Sequence, residues 1–580
     1  MSQKSITNFL AEEYKEFAMY TIEGRAIPSV IDGFKPTARK IIHASANIWR
    51  TGQEKPLKVF QLSGKVASDC LHYDTEVSLA NGETIKIGDW YHKFPDLSLE
   101  VLSIDENGET IIGIGHNPKM SLQKFVYEIE TEDGVIHKLS ENHLVMLSDG
   151  TYKKVSELSE EDDIRKKIIN ITKIVLDKPE YYYDISVDKY HNFVINDSIV
   201  VHNCFYHHGS SSLENAIITM AQKFKNNAPL LEEIGQFGSL RSPQAAAPRY
   251  IGTKLSNNFR LLYKDFELLE FKEEEGESIE PRYFLPIIPT VLINGSQGIS
   301  VGFTSNVLNR DIKGIVDACI DILKGKEPRD VKPSLNEFTG EFTRDPENHR
   351  RWLIRGKFQR VNTSTIRITE LPPSLTYEKY EEILDDLCDK KKIVSYDDNC
   401  ADNVDFTVKF TRSELEKIDD EKLVKLLKLE EAETEAFSTL DENGKLRIFD
   451  NVADIIKYFV KFRLNYYHKR KEFLLDRMNK DLKLLSNRGR FIKAILDEKI
   501  KINNVPKLEI INSIELMGLD QIDGSYDYLL RMPIYSLTQE LFEKLKADFT
   551  AKKAEIKKLE ETDPGDMYLD DLDELKKKFK

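Results

Sequence analysis

Apolar positions along the 580-residue chain change their spacing three times. In "ARKIIHASANIW" and "SLENAIITMAQKF" they fall near helical spacing, with Leu213, Ile217, Ile218 and Met220 forming one face, so helices are predicted there. Between these two stretches the period drops to two. "TEVSLANGETIKI", "LSIDENGETIIGI", "YEIETEDGVIHKL" and "LVMLSDGTYKKV" each set Asn-Gly or Asp-Gly between alternating runs, the strongest local hairpin signal. Four such dipeptides fall in the 134 residues from Cys70 to Asn203 and four in the other 446, which predicts a separate β domain. From about residue 451 the helical period returns. Leu474, Met478, Leu482 and Leu485 make a coiled-coil-like seam. A capping box at Ser536-Leu-Thr-Gln539 then opens a helix striped by Leu541, Leu545, Phe549, Ile556 and Leu559. The turn-rich "MGLDQIDGSYDYLLRMPIYSL" between them fits a tip able to dimerise, and residues 300–440 read as mixed α/β.

Composition narrows the setting. The length implies three or more folding units. No run approaches the roughly 20 apolar residues of a bilayer span, and "MSQKSITNFLAEEYKEF" has no apolar signal core. Five cysteines without a C-x-x-C pair argue against a disulfide framework or zinc site and fit a reducing cytoplasm. A net charge of −15 excludes diffuse attraction to nucleic acid over the whole surface, though not a local basic groove.

The ends of the β segment carry chemistry. The Cys70 thiol can attack the carbonyl of Asp69 to form a thioester, and Cys204 offers a second thiol to receive the acyl group. Asn203 can cyclise onto its own carbonyl and cut the chain, with His202 beside it as proton donor. Intramolecular attack of this kind gains effective molarities on the order of 10⁵ M. "CLHYDTEV", "LSENH", "YYYDISVDKYHNFV" and "SIVVHNC" occur in the order of the intein blocks, and the span resembles a mini-intein with an all-β Hint-type fold. The resemblance implies Ser140 and His143 at the first scissile bond, and Asp184 and His191 from the third block. Ser140 stands where threonine is usual. About 37 residues (144–180) separate the second and third blocks, too few for a homing endonuclease. A related autoprocessing domain that cleaves without ligating is the alternative; Cys204 and a continuous host favour ligation. Asp69 predicts some N-terminal cleavage as a side reaction.

With the insert removed, "LSGKVASD" runs into "CFYHHGSSSLENAIITMAQKF" and on to "IGQFGSLRSPQAAAPRYIGTKLS". Glycines and Pro248 predict an exposed turn at Arg249-Tyr250. A phenol is a poor nucleophile unaided, whereas a fixed arginine stabilises both phenolate and phosphate. Arg25, Lys35, Arg39 and Lys40 upstream, with His207, His208, Lys223, Lys225, Arg241, Lys254 and Arg260, predict a local basic surface suited to a phosphate backbone.

"GRAIPSVIDGFKPTARK", "YHHGSSSL", "IGQFGS", "AAAPRY" and "LINGSQGISVGF" resemble, in order, the breakage-reunion subunit of type IIA DNA topoisomerases. The forms "YHHG" and "IGQFG" are nearer the eukaryotic and T-even phage versions than the bacterial one, and the host length suits a phage-type medium subunit. The resemblance implies a multidomain α+β chain. Its parts are a winged-helix DNA-gate domain in two pieces (1–69 and 204–299), the intein (70–203), an α/β tower (300–440), and coiled-coil arms ending in a dimeric exit gate (441–580). It implies Tyr250 as the nucleophile forming a 5′-phosphotyrosyl link, Arg249 and Arg25 as catalytic neighbours, and Lys35, Arg39, Lys40, His207 and His208 as DNA contacts. Ile299 would wedge between base pairs. The partners implied are double-stranded DNA, a second copy of the chain and an ATPase/TOPRIM subunit, in the cytoplasm. No G-x-x-x-x-G-K-[ST] loop or acidic metal motif is present in the sequence, so Mg²⁺ and ATP are expected on the partner subunit, with no metal ligand in this chain. The opposing reading is a DNA-binding scaffold without covalent chemistry, in which Tyr250 is buried.

Overall fold

Pro36 opens helix α1 (Pro36–Ile48) at a position where its missing N–H has no partner to lose, and Ile41 and Ile42 turn to the core. Strand β1 (Leu57–Lys58) and helix α2 (Val59–Val66) follow. The computed structural model describes the chain except residues 1–17, 20–21, 50–54, 67–70, 106–107, 142, 188–191, 197, 203–209, 275–276, 402, 503–504, 523, 534–536 and 580. Two units result: Met1–Cys319 with Glu327–Lys457, and Ile320–Lys326 with Tyr458–Lys580.

The segment from Leu71 to His202 is built from β2 (Leu71–His72), β3 (Glu76–Ser78), β4 (Thr84–Lys86), β5 (Leu99–Ile104), β6 (Thr110–Thr131), β7 (Ile136–Leu139), β8 (Leu144–Met146), β9 (Tyr152–Lys154), β10 (Ile168–Val187), β11 (Asn192–Ile195) and β12 (Ile199–His202). They form a five-stranded sheet, β10-β2-β7-β6-β5, and a six-stranded one, β4-β3-β11-β12-β8-β9. Leu71, Trp90, Val101, Ile129, Phe193 and Val201 belong to the core between them. Each expected Asn-Gly or Asp-Gly turn joins paired strands, with Gly82, Gly108, Gly134 and Gly150 at φ of 75 to 87°, where a side chain would be strained. A simple meander does not describe the whole. β6 and β10 pair from Ile168↔Thr131 to Val187↔Gly115, with three register shifts that bend the ribbon. At Gly115 a Cβ would lie 2.8 Å from the Trp90 ring, so the missing side chain lets Trp90 seal the core.

After the insert, helix α3 (Ser210–Ala221) buries Leu213, Ile217 and Ile218 and packs with α1 and α2. Strand β13 (Gly252–Thr253) pairs with β1, closing a sheet from segments on opposite sides of the insert. The host platform is thus assembled with the insert in place. Hairpin β14 (Ser296–Ile299) and β15 (Thr304–Val307) extends from it. Residues 341–449 add a three-stranded and a four-stranded antiparallel sheet, and helix α4 (Tyr377–Asp389) covers the latter through Tyr380 and Leu384.

Helix α5 (Val452–Leu496) supplies the long element of the second unit. Helices α6 (Gln539–Glu561) and α7 (Pro564–Lys578) run back along it. Lys552 reaches Asp481, Lys471 donates to the carbonyls of Glu560 and Thr562, and Tyr467 stacks on Tyr568 at 4.4 Å. The cap of α6 is Thr538, which accepts from the Leu541 N–H, two residues beyond the expected start. Ser536 lies outside the described residues.

Candidate functional site

The Arg249-Tyr250 turn is held by backbone before any side chain acts. The first N–H groups of a helix lack internal partners. In α2 two of them are taken by this turn: Val59 donates to the Ile251 carbonyl (3.1 Å) and Phe60 to that of Pro248 (3.3 Å). Tyr250 N–H donates to Ala247 O at 2.9 Å, and Lys58 Nζ donates to Tyr250 O at 2.7 Å. Ile251 is buried below, so Tyr250 points outward, 69% exposed, with the Arg249 guanidinium 5.9 Å from its ring centre. Glu214 on α3 stands by Arg249; burial raises its carboxyl above the usual range while Arg249 pulls it down. Lys58 escaped the sequence reading because its contact spans 192 residues.

A second group surrounds the β14–β15 hairpin. Ile299 is 85% exposed at its end. Lys35 donates to Gln297 O at 2.6 Å, and burial lowers its ammonium below the usual lysine range. Gly298 packs so closely on Ala26 O that a Cβ would sit 2.0 Å from it, which ties the hairpin to the turn Ile22–Ala26 carrying exposed Arg25. Beside this lies a cleft of about 880 Å³ lined by Lys35, Lys225 and Lys379 together with Ser212, Asn215 and Thr219 of α3.

Arg39 requires correction. It is buried, and its Nε and Nη2 bind both oxygens of Asp32 at 2.8 and 2.9 Å, so it braces the Asp32–Phe34 turn instead of offering a phosphate contact. Arg241, also counted with the basic surface, is buried against Glu370. Lys40 is half-buried on α1. His207 and His208 lie outside the described residues, as do Cys70, His191, Asn203 and Cys204.

The described insert residues converge. Leu71 pairs with Leu139 on one side and Tyr183 on the other, so the chain enters between the residues preceding Ser140 and Asp184. At the other end β12 pairs with β8 through Val201↔Val145, beside His143 and His202. His143 N–H donates to Ser140 O at 3.2 Å, closing the turn that links the two groups. All four side chains are buried. Burial, and secondarily His202, drives the His143 imidazole down to about 3, and neither ring nitrogen has a hydrogen-bond partner among the described residues. Asn192, unremarked in the sequence, pairs with His202 in register and clamps Ile104 through its amide at 2.8 and 2.9 Å.

The exposed Arg-Tyr turn and the hairpin carrying Ile299 belong to a fold whose class the comparisons with known proteins give. The family model of the DNA gyrase/topoisomerase IV A-type subunit matches residues 25–87 and 198–573, and the chain belongs to that family. The match skips 88–197, inside the β segment. Among relatives, the chain is 33% identical over 376 residues to the DNA topoisomerase medium subunit of Enterobacteria phage T4, covering 64% of this chain and 84% of that one. It is 33% identical over 423 residues to DNA topoisomerase 2 of Plasmodium falciparum (isolate K1 / Thailand), covering 65% of this chain but 30% of the relative's length. The crystal structure of the Plasmodium falciparum topoisomerase II DNA-binding, cleavage and re-ligation domain superposes with a TM-score of 0.67 at 25% identity, over 98% of this chain and 64% of the other.

Proposed function

We propose that this chain is the breakage-reunion subunit of a type II DNA topoisomerase and that residues 70–203 are a self-splicing mini-intein. The observation that carries the first reading is the exposed Tyr250 beside Arg249 on a turn fixed to the start of α2. The Tyr250 oxygen loses its proton to solvent and attacks a DNA phosphorus. The bond to the 3′-oxygen breaks, and that oxygen leaves protonated; reversal rejoins the strand. Arg249, Lys58 and Arg25 supply positive charge for the phosphate oxygens. Lys35 holds the hairpin from which Ile299 enters the duplex. Among the described residues no cluster of three or more His, Cys, Asp or Glu side chains could hold a metal ion. Mg²⁺ and ATP belong to the proposed ATPase/TOPRIM partner, and two copies of the chain cut the two strands. Winged-helix DNA gate, tower and coiled-coil arms are the corresponding names for residues 1–69 with 204–299, 300–440 and 441–580. No described helix is long and apolar enough to cross a membrane.

For the insert, support comes from the convergence of both described ends on the Ser140–His143 turn. Cys70 sulfur displaces the Asp69 amide to give a thioester, and Cys204 sulfur takes over the acyl group. Asn203 cyclises to a succinimide, releasing the insert, and the acyl group moves from sulfur to the Cys204 nitrogen as a peptide bond. Mass spectrometry of the expressed chain tests this: a product shorter by 134 residues is expected. An intact chain as the sole species removes the reading. For the host, denaturant trapping with the partner subunit is expected to leave Tyr250 covalently attached to DNA.

A further inference from the structure

The segment that delivers Arg249 and Tyr250 is a closed loop whose far end is bolted to another part of the fold. Ile234 and Gly252 exchange backbone hydrogen bonds at 3.1 and 2.8 Å, so residues 234–252 leave and return at one point. Near the middle, Arg241 is buried, although nothing in the proposed chemistry calls on it. Its Nη1 donates to Pro372 O at 2.7 Å and Leu375 O at 2.8 Å. Its Nη2 donates to Glu370 Oε1 at 2.5 Å and to Leu371 O. Glu370 in turn accepts from Thr339 N–H at 2.9 Å and its hydroxyl at 2.8 Å. Gln222, the residue after α3, grips the same loop, donating to Phe237 O at 2.8 Å and Pro243 O at 3.3 Å.

We infer that Arg241 is a positioning residue for DNA cleavage: it fixes the loop bearing Arg249 and Tyr250 to the strand end at Glu370–Leu375. A planar guanidinium meets three carbonyls and a carboxylate at once; an ammonium cannot match that fork. Displacing a reacting group by about 1 Å through a distant change costs up to 10²-fold in rate. Arg241 also links cleavage to residues 339–375, so a shift there moves the nucleophile.

The inference rests on Tyr250 being the nucleophile, and the test separates the two. The expressed chain with its ATPase partner is assayed for covalent adduct in single-turnover conditions and, separately, for equilibrium binding to a duplex. If wild-type protein forms no adduct that Tyr250→Phe abolishes, the parent reading fails. If it does, Arg241→Lys is expected to fold cooperatively, bind DNA within twofold of wild type, and form adduct about tenfold more slowly. Arg241→Ala is expected to be slower still and to recover in part with millimolar methylguanidinium. Adduct formation by folded Arg241→Lys within twofold of wild type overturns the inference, as does equal loss of binding and cleavage without rescue.

Discussion

Ser140, His143, Asp184 and His202 of the insert are at most 5% exposed, whereas Tyr250 and Ile299 of the host stand 69% and 85% exposed. Both regions are read as chemical centres, and the contrast follows from what each acts upon. On the proposed reading every reactant of the insert belongs to the same chain, so burial aligns groups and excludes water. On the same reading the host's reactant is a DNA duplex, which a projecting nucleophile can reach. Precision there comes from the backbone, through the carbonyls of Pro248 and Ile251 on the start of α2 and the Lys58 contact to Tyr250 O.

The sharpest way to break the comparison is Tyr250→Phe. Complete loss of covalent DNA adduct is expected, with binding retained. Because the ring is exposed, thermal stability should change by less than about 0.5 kcal/mol. A persistent adduct places the nucleophile elsewhere. On the insert side, Ser140→Ala and His143→Ala are expected to slow N-terminal thioester formation by about 10² to 10³, read by dithiothreitol-induced cleavage at Cys70. Unlike Tyr250→Phe, His143→Ala should also soften the insert, since it opens space in a fully buried site.

Acid sharpens the comparison further. His143 and His137 are buried and held near 3 and 4, against 6.5 when free. Each is neutral in the folded insert and takes up a proton on unfolding across that interval. Their contribution to stability is complete above about pH 6.5 and declines as pH falls, by at most about 1.4 kcal/mol per pH unit for each histidine. Limited proteolysis with mass spectrometry should therefore release peptides from residues 71–202 at pH 4.5 and not at pH 7.5. Release that is insensitive to pH would contradict the buried neutral histidines.

How far the sequence could be read depended on the range of the forces involved. The four glycine turns of the insert were legible because a positive φ is a local demand. So was the exposure of Tyr250, set by Pro248 and the turn around it. The β6–β10 ribbon was not, since its register shifts arise from pairing across a separation of tens of residues. Arg39 misled for a related reason: its partner Asp32 lies seven residues away, across the Asp32–Phe34 turn, where no helical period connects them. Capping at Thr538 over Ser536 turns on backbone geometry that a four-residue pattern underdetermines.

Two host isoleucines give the finest form of the contrast, and Ile299 carries the smallest expected effect on stability. Ile299 stands at the end of the β14–β15 hairpin, and Ile42 is fully buried in α1. Ile42→Ala should cost about 2–5 kcal/mol in stability through the cavity it leaves. Ile299→Ala should cost less than about 0.5 kcal/mol, because the side chain has little packing to lose. Its effect should appear instead on the duplex: a wedge side chain offsets the unstacking of one base step, so its removal relaxes the bend. Energy transfer between fluorophores at the duplex ends should then report a smaller bend for Ile299→Ala at saturating protein, with melting unchanged. An unaltered bend would mean that the hairpin bends DNA through its backbone and Lys35 alone.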